Sequence, residues 1–253
     1  MGLTLYGVDL WAGALLFARV GALIMLLPGV GEPAVAARVR LGFAVLMTAI
    51  LAPGLAATIP DPPADVWAMS GMLITEIVIG LILGGAARLL MTALATAGQI
   101  MGLETGLAFA QTADPTQTQS GQIFAVFLGL FGVALIFATE LHHVFLAGVV
   151  GSYAVFTPGV APDAGDAAQL AIRSVSTSFL VGLQIAAPVI VGGLIFRVGL
   201  GALARLIPTI QVFFVALPLQ LLGGFCLIAL GVSAGMLVWL NSLREFASPL
   251  GGL

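Results

Sequence analysis

The sequence predicts an all-α, membrane-associated fold of bent helical hairpins, built from about six hydrophobic helical elements. Hydrophobic residues make up 60% of the chain and charged residues only 8%, against about 25% in soluble domains. Mean hydropathy reaches +1.19. The apolar residues gather into runs that meet or exceed the roughly 20 residues needed to cross a bilayer core, and turn-forming residues separate those runs.

Taken in order, the first run covers 10–30 and ends at Pro28-Gly29-Val30-Gly31-Glu32-Pro33. The second covers 41–59, with Pro53-Gly54 and Pro60-Asp61-Pro62-Pro63 at its end. The third, 66–103, would extend about 57 Å as one straight helix against a hydrocarbon core of about 30 Å. The fourth, 121–157, is nearly as long and ends at the stretch from Pro158 to Asp166. These long pieces must bend, break or rise out of the lipid. The fifth and sixth runs, 168–200 and 206–243, hold Pro188 and Pro218, each of which removes an intrahelical hydrogen bond. No Lys or Arg precedes Arg19, so the amino terminus lacks the basic region of a cleavable signal and the first run is expected to remain. Arg38 and Arg40 follow the first run and Arg197 and Arg205 flank the fifth break, whereas Asp61, Asp65, Asp163 and Asp166 occupy the alternate loops. Arginine counting therefore places the amino terminus outside. With no long linker and no strong repeat, 1–253 reads as a single domain.

Charge and chemistry exclude several classes. The net charge is −3 and all eight basic residues are arginines, so no polybasic tract for nucleic acid or for anionic lipid exists and no phosphate loop ending in Gly-Lys can form. No serine lies in a nucleophile-elbow context, and His142 and His143, about 100° apart on a helix, cannot both face one metal. No catalytic, metal or cofactor site is expected, and an enzyme is not. Charges inside apolar runs are Arg19, Glu76, Arg88, Glu140 and Arg173. Such charges are functional candidates by default. Glu140 and His143, at i and i+3, are expected to share a helix face as a buried polar pair. The single cysteine, Cys226, is expected to be a small buried hydrophobe. Small residues recur at four-residue spacing as Gly80 and Gly84, as Gly98, Gly102 and Gly106, and as Gly231 and Gly235, which clears helix faces for close packing within the chain or against another subunit.

The most polar stretch is 98–122, GQIMGLETGLAFAQTADPTQTQSGQ, which carries no Lys or Arg and is flanked by apolar runs. Such a segment is expected to line or block a wet path.

Three stretches together resemble one family, FliR, the R subunits of the flagellar type III export gate with their counterparts in virulence injectisomes. Ala18-Arg19-Val20 leads through Pro28 and Pro33 to Arg38-Val39-Arg40-Leu41-Gly42-Phe43-Ala44, similar to the family's opening helix, break and restart. Gly98-Gln99-Ile100-Met101-Gly102 and Gly106-Leu107-Ala108-Phe109-Ala110, followed by Asp114-Pro115, resemble its most characteristic segment. Pro208, Phe213 and Pro218 at five-residue spacing, then Gly223 and Gly224, fit its final region.

The resemblance implies helical hairpins packed beside P and Q subunits in a helical hetero-oligomeric gate, partly raised out of the bilayer, with the B subunit as a further partner. It implies a P-like half over 1–160 and a Q-like helical pair over 168–243, in the inner membrane within the flagellar basal body. It implies a channel for unfolded rod, hook and filament proteins. It also implies a pore plug, for which the matching residues are Gly106, Leu107, Phe109, Ala110, Gln111, Asp114, Pro115, Gln117 and Gln119. Two other readings stand beside this one: the injectisome version of the same gate, and a secondary transporter for a small solute, favoured by broken helices and midplane charges.

Overall fold

The computed structural model describes residues 4–5, 8–107, 123–206 and 212–251. A minimal antiparallel pairing of Thr4–Leu5 (β1) with Val8–Asp9 (β2) leads, among the described residues, into seven helices. These are α1 (Leu10–Leu26), α2 (Ala37–Leu55, extended by a 3-10 turn at Ala56–Thr58), α3 (Val66–Glu104), α4 (Ile123–Ala138), α5 (Leu141–Val155), α6 (Ala164–Leu206) and α7 (Val212–Gly251). The all-α class holds. Four helices, α2, α3, α6 and α7, are long and apolar enough to cross a membrane, and α4 with α5 forms a pair bent by 76°.

Two expectations are refined. The run 66–103, which holds no proline, does not break: α3 is one helix of 39 residues, about 58 Å long at the ordinary helical rise. It therefore outruns a hydrocarbon core of about 30 Å. The run 121–157 does break, between Ala138 and Leu141, because Glu140 adopts a left-handed conformation with φ 58°. The fourth run is thus two helices rather than one. Pro188, by contrast, is absorbed inside α6.

The chain divides into two compact units, with boundaries inside α3, α4, α6 and α7. The first comprises Met1–Leu89, Ile136–Val175 and Leu243–Leu253. Its core gathers Leu15, Leu16, Val20 and Ile24 of α1, Ile79 and Leu83 of α3, and Leu141, Phe145 and Val149 of α5. Trp11 donates its indole N–H to the Pro60 carbonyl at 3.1 Å, tying the start of α1 to the loop after α2. Gly80 lets α3 approach α1 so closely that an added Cβ would lie 2.6 Å from the Arg19 carbonyl oxygen, and Gly84 meets Leu26 and Leu23 in the same way.

The second unit comprises Leu90–Leu135 and Ser176–Ser242. Trp239, fully buried, donates to the Leu90 carbonyl at 3.0 Å and packs beside Leu94 and Gly132. Gly98 abuts the backbone of Phe124 and Ala125 at the start of α4. Gly231 and Gly235 of α7 receive Pro188 and Ile185 of α6, each 3.1 Å from an added Cβ. Gly102 is buried, and its carbonyl accepts from the Thr105 hydroxyl at 3.2 Å. Gly80, Gly84, Gly98, Gly231 and Gly235 thus each meet a neighbouring helix within their own unit.

Much apolar surface has no cover among the described residues. On α2 this includes Leu46 and Ile50, on α6 Leu194, Ile195 and Val198, and on α7 Leu222, Phe225 and Leu230. Cys226 belongs to this last face and is exposed, correcting the expectation of burial. Its surroundings are apolar, but they point outward.

Candidate functional site

Two polar clusters are built into the apolar framework, one in each unit. In the first, Arg19 of α1 and Glu76 of α3 are both wholly buried and meet side by side. Arg19 Nε donates to Glu76 Oε2 at 2.6 Å and its Nη2 to Oε1 at 3.1 Å. The remaining guanidinium nitrogen, Nη1, donates to the carbonyls of Ser152 and Phe156, each at 3.0 Å. Glu76 Oε1 also accepts from the Gly159 backbone N–H at 2.8 Å, where φ of +78° explains the glycine. The Tyr153 ring lies 4.2 Å beneath the guanidinium carbon, within cation–π range.

Every charge in this cluster has a partner. Desolvating two ions in an apolar interior is expensive unless geometry and supplementary hydrogen bonds offset it, and both conditions are met here. The arrangement binds α1, α3, the end of α5 and the turn before α6. Joined in this way, the buried pair is a structural clasp.

The second cluster sits at the carboxyl end of α3, where the chain enters the polar stretch. Gly106, with φ +80°, closes the helix, and its N–H donates to the Leu103 carbonyl at 3.2 Å, an ordinary left-handed helix stop. Glu104 is the last residue of α3, where a carboxylate opposes the negative end of the helix dipole. Arg197 of α6 compensates: its Nη2 donates to Glu104 Oε2 at 2.6 Å. Gln220 of α7 donates its amide to the Glu104 carbonyl at 2.7 Å.

Glycines make the room for this. Glu104 Oε2 lies where a Cβ on Gly193 would be, and the Thr105 methyl lies where a Cβ on Gly224 would be. Thr105 is fully buried and returns its hydroxyl to the Met101 carbonyl at 2.8 Å. A cavity of about 110 Å³ remains beside the cluster, lined in part by Glu104, Gly192, Phe196, Gln220 and Gly223.

The sequence-predicted residues distribute unevenly over this framework. Gly106 and Leu107 stand at the end of α3. Phe109, Ala110, Gln111, Asp114, Pro115, Gln117 and Gln119 lie outside the described residues, as does Pro208.

Glu140 and His143 do not form the expected buried pair. Both side chains are exposed, and the residues are joined only through the backbone, His143 N–H to the Glu140 carbonyl at 2.9 Å. The reason is conformational: Glu140 stands at the left-handed break before α5, so the helical i, i+3 relation does not apply to its side chain. His142 instead packs its ring against Phe137 and His143, at centroid distances of 5.1 and 4.1 Å. Among the described residues, no group of three or more His, Cys, Asp or Glu side chains is arranged to hold a metal ion.

Sequence reasoning singled out Arg19 and Glu76 but did not join them, since 57 residues separate them. Opposite charges inside apolar runs were the available signal. Arg197 was read only as an orientation marker beside the fifth break, and Gln220 carried no signal beyond being a polar residue in an apolar run.

Comparison with known proteins places this architecture. The family model described as bacterial export proteins, family 1, matches residues 10–246. The flagellar biosynthetic protein FliR of Caulobacter vibrioides is 44% identical over 94% of this chain and 94% of its own length. FliR of Escherichia coli K12 is 31% identical over 83% of this chain and 80% of its own, and that of Bacillus subtilis 28% identical over 92% and 91%. With its membrane-spanning helices and a match running from α1 into α7, the chain belongs to the FliR family of flagellar biosynthetic proteins.

Proposed function

We propose that this protein is a core, non-enzymatic subunit of the flagellar type III export gate, forming with P and Q subunits, and beside the B subunit, a channel for unfolded rod, hook and filament proteins. The observation that carries the reading is the alignment to a flagellar FliR over 94% of both chains. The uncovered apolar faces of α2, α6 and α7 support it, because they call for partner subunits or lipid. The relatives named above are flagellar, which favours that system over an injectisome. The reading places the chain in the bacterial inner membrane within the basal body. It treats 1–160 as the P-like half and 168–243 as the Q-like pair.

Within this reading, the segment from Gly106 through Gln122 plugs the resting channel. Leu107 and Phe109 serve as apolar stoppers, and the uncharged Thr/Gln tract hydrates against a passing polypeptide. An apolar constriction depends on each bulky group, whereas a hydrated tract tolerates loss of one amide. Phe109→Ala is therefore expected to raise resting ion conductance across membranes holding the assembled gate, while Gln117→Ala changes little. A gate with the segment shortened that assembles, conducts no more than the parent and exports hook protein equally well would overturn the plug assignment.

A further inference from the structure

The uncovered helix faces of the second unit are not chemically alike. On α4 they include Phe127 and Leu130, on α6 Leu194 and Ile195, and on α7 Leu222 and Leu230. α3 instead presents Thr92, Thr96 and Gln99, spaced by four and three residues and hence on one side of the helix. Thr92 and Gln99 are exposed, Thr96 is half-buried, and none of the three is charged.

The threonines are tied into the fold. The Thr92 hydroxyl shares a hydrogen bond with that of Ser178 on α6 at 2.9 Å, and the Thr96 hydroxyl donates to the Thr92 carbonyl at 3.0 Å. Gly182 lets α6 close onto α3 beside this face: an added Cβ there would lie 3.0 Å from the Ala93 carbonyl oxygen and 3.2 Å from Thr96 Cβ. A hydroxyl bonded back to its own helix can lie against lipid or an apolar neighbour at little cost. Gln99 cannot do the same. Its amide offers two donors and a carbonyl, and among the described residues none of these has a hydrogen-bond partner. Leaving such a group against acyl tails or an apolar subunit face is expensive, so this face of α3 meets water or a chain that hydrogen-bonds.

We propose that Thr92, Thr96 and Gln99 line the aqueous path of the channel and form the surface along which an unfolded polypeptide passes. This rests on the export-gate reading above. Uncharged hydroxyl and amide groups suit that occupant, because they pair with the backbone N–H and C=O groups that every sequence carries and hold neither acidic nor basic segments tightly. The face also leads toward the polar stretch, since Gln99 stands five residues before Glu104, the last residue of α3. A polar face of a neighbouring subunit would cover Gln99 instead, and the test separates the two.

The test uses the assembled complex in broken membranes, both sides open to reagent. Cys226→Ser removes the chain's single cysteine, after which Thr92→Cys or Gln99→Cys is introduced, with Leu130→Cys and Leu230→Cys on the apolar faces for comparison. A charged, water-soluble methanethiosulfonate reports access to water, because the thiolate is the reacting form. Thr92→Cys and Gln99→Cys should react at least about tenfold faster than Leu130→Cys and Leu230→Cys. A stalled export substrate, hook protein fused to a domain that does not unfold, should slow labelling of Gln99→Cys severalfold. If Thr92→Cys, which loses its bond to Ser178, is not recovered, Gln99→Cys alone decides. A Gln99→Cys that stays unreactive in an assembly retaining P and Q subunits would overturn the proposal and leave the gate reading standing, as would labelling that the stalled substrate does not slow. An assembly without P and Q subunits would overturn the gate reading itself, and the channel wall with it.

Discussion

Arg19 and Glu76 show what a charge costs in this protein and how that cost is met. Both are fully buried, and five hydrogen bonds within the cluster satisfy them. Removing either partner strands the other in an apolar interior, so Arg19→Met or Glu76→Leu should each cost about 3–5 kcal/mol. Replacing both together should cost less than the two single losses combined, because no uncompensated ion remains. Thermal aggregation in detergent, measured for the four members of the cycle, checks this. The residue types were legible in the sequence, because a lone charge in an apolar run is conspicuous. Their partnership was not, since it depends on how α1 and α3 pack and on backbone carbonyls of Ser152 and Phe156 that any sequence would supply.

At the scale of the helices, legibility followed local chemistry. Glycine and proline marked the ends of α1 and α5, whereas Gly106, read in the sequence as part of a packing stripe, instead ends α3. The break at Glu140 had no such mark, because a glutamate rarely adopts a left-handed conformation and the run Phe137-Ala138-Thr139-Glu140-Leu141 reads as continuous helix. Glu140→Gly should relieve that conformation and stabilise the bend by about 1 kcal/mol, read as a raised midpoint of thermal unfolding in detergent. A lowered midpoint would mean that the exposed carboxylate contributes more than the strain removes.

Glycine spacing was legible as a packing device, whereas its direction was not. Gly80 faces the backbone of α1, so Gly80→Leu should destabilise the chain by at least about 1–3 kcal/mol through overpacking. Gly129 of α4 has nothing within 4 Å of an added Cβ, and Gly129→Ala should be neutral or stabilise by about 0.5–1 kcal/mol through helix propensity. If Gly129→Leu leaves the stability of the chain alone but lowers recovery of an assembly, that face is an interface.

Over the whole molecule, hydropathy conveyed an all-α membrane protein and little about how its surface is finished. α3 is about 58 Å long, and large side chains such as Ile50, Ile195 and Leu230 stand exposed on three helices. Cys226 is the particular case: an apolar neighbourhood suggested burial, and the structure puts it on the uncovered side of α7. Periodicity cannot distinguish a face that meets its own chain from one that meets lipid or another subunit, since both are apolar. The polar stretch was legible by its composition, while the clasp at its start, Glu104 with Arg197 and Gln220, required the fold. If the clasp positions that stretch, reversing Arg197 to Glu should impair export, and the double change Glu104→Arg, Arg197→Glu should restore part of it.

The central claim is that this chain functions only as one subunit of a hetero-oligomeric gate. The most direct measurement is the mass and composition of the complex purified through a tag on this chain, expressed at native level and extracted in mild detergent. The account predicts a discrete assembly containing P and Q subunits, with the isolated chain short-lived without them. A stable, monodisperse homo-oligomer of this chain retaining no other membrane protein would contradict it.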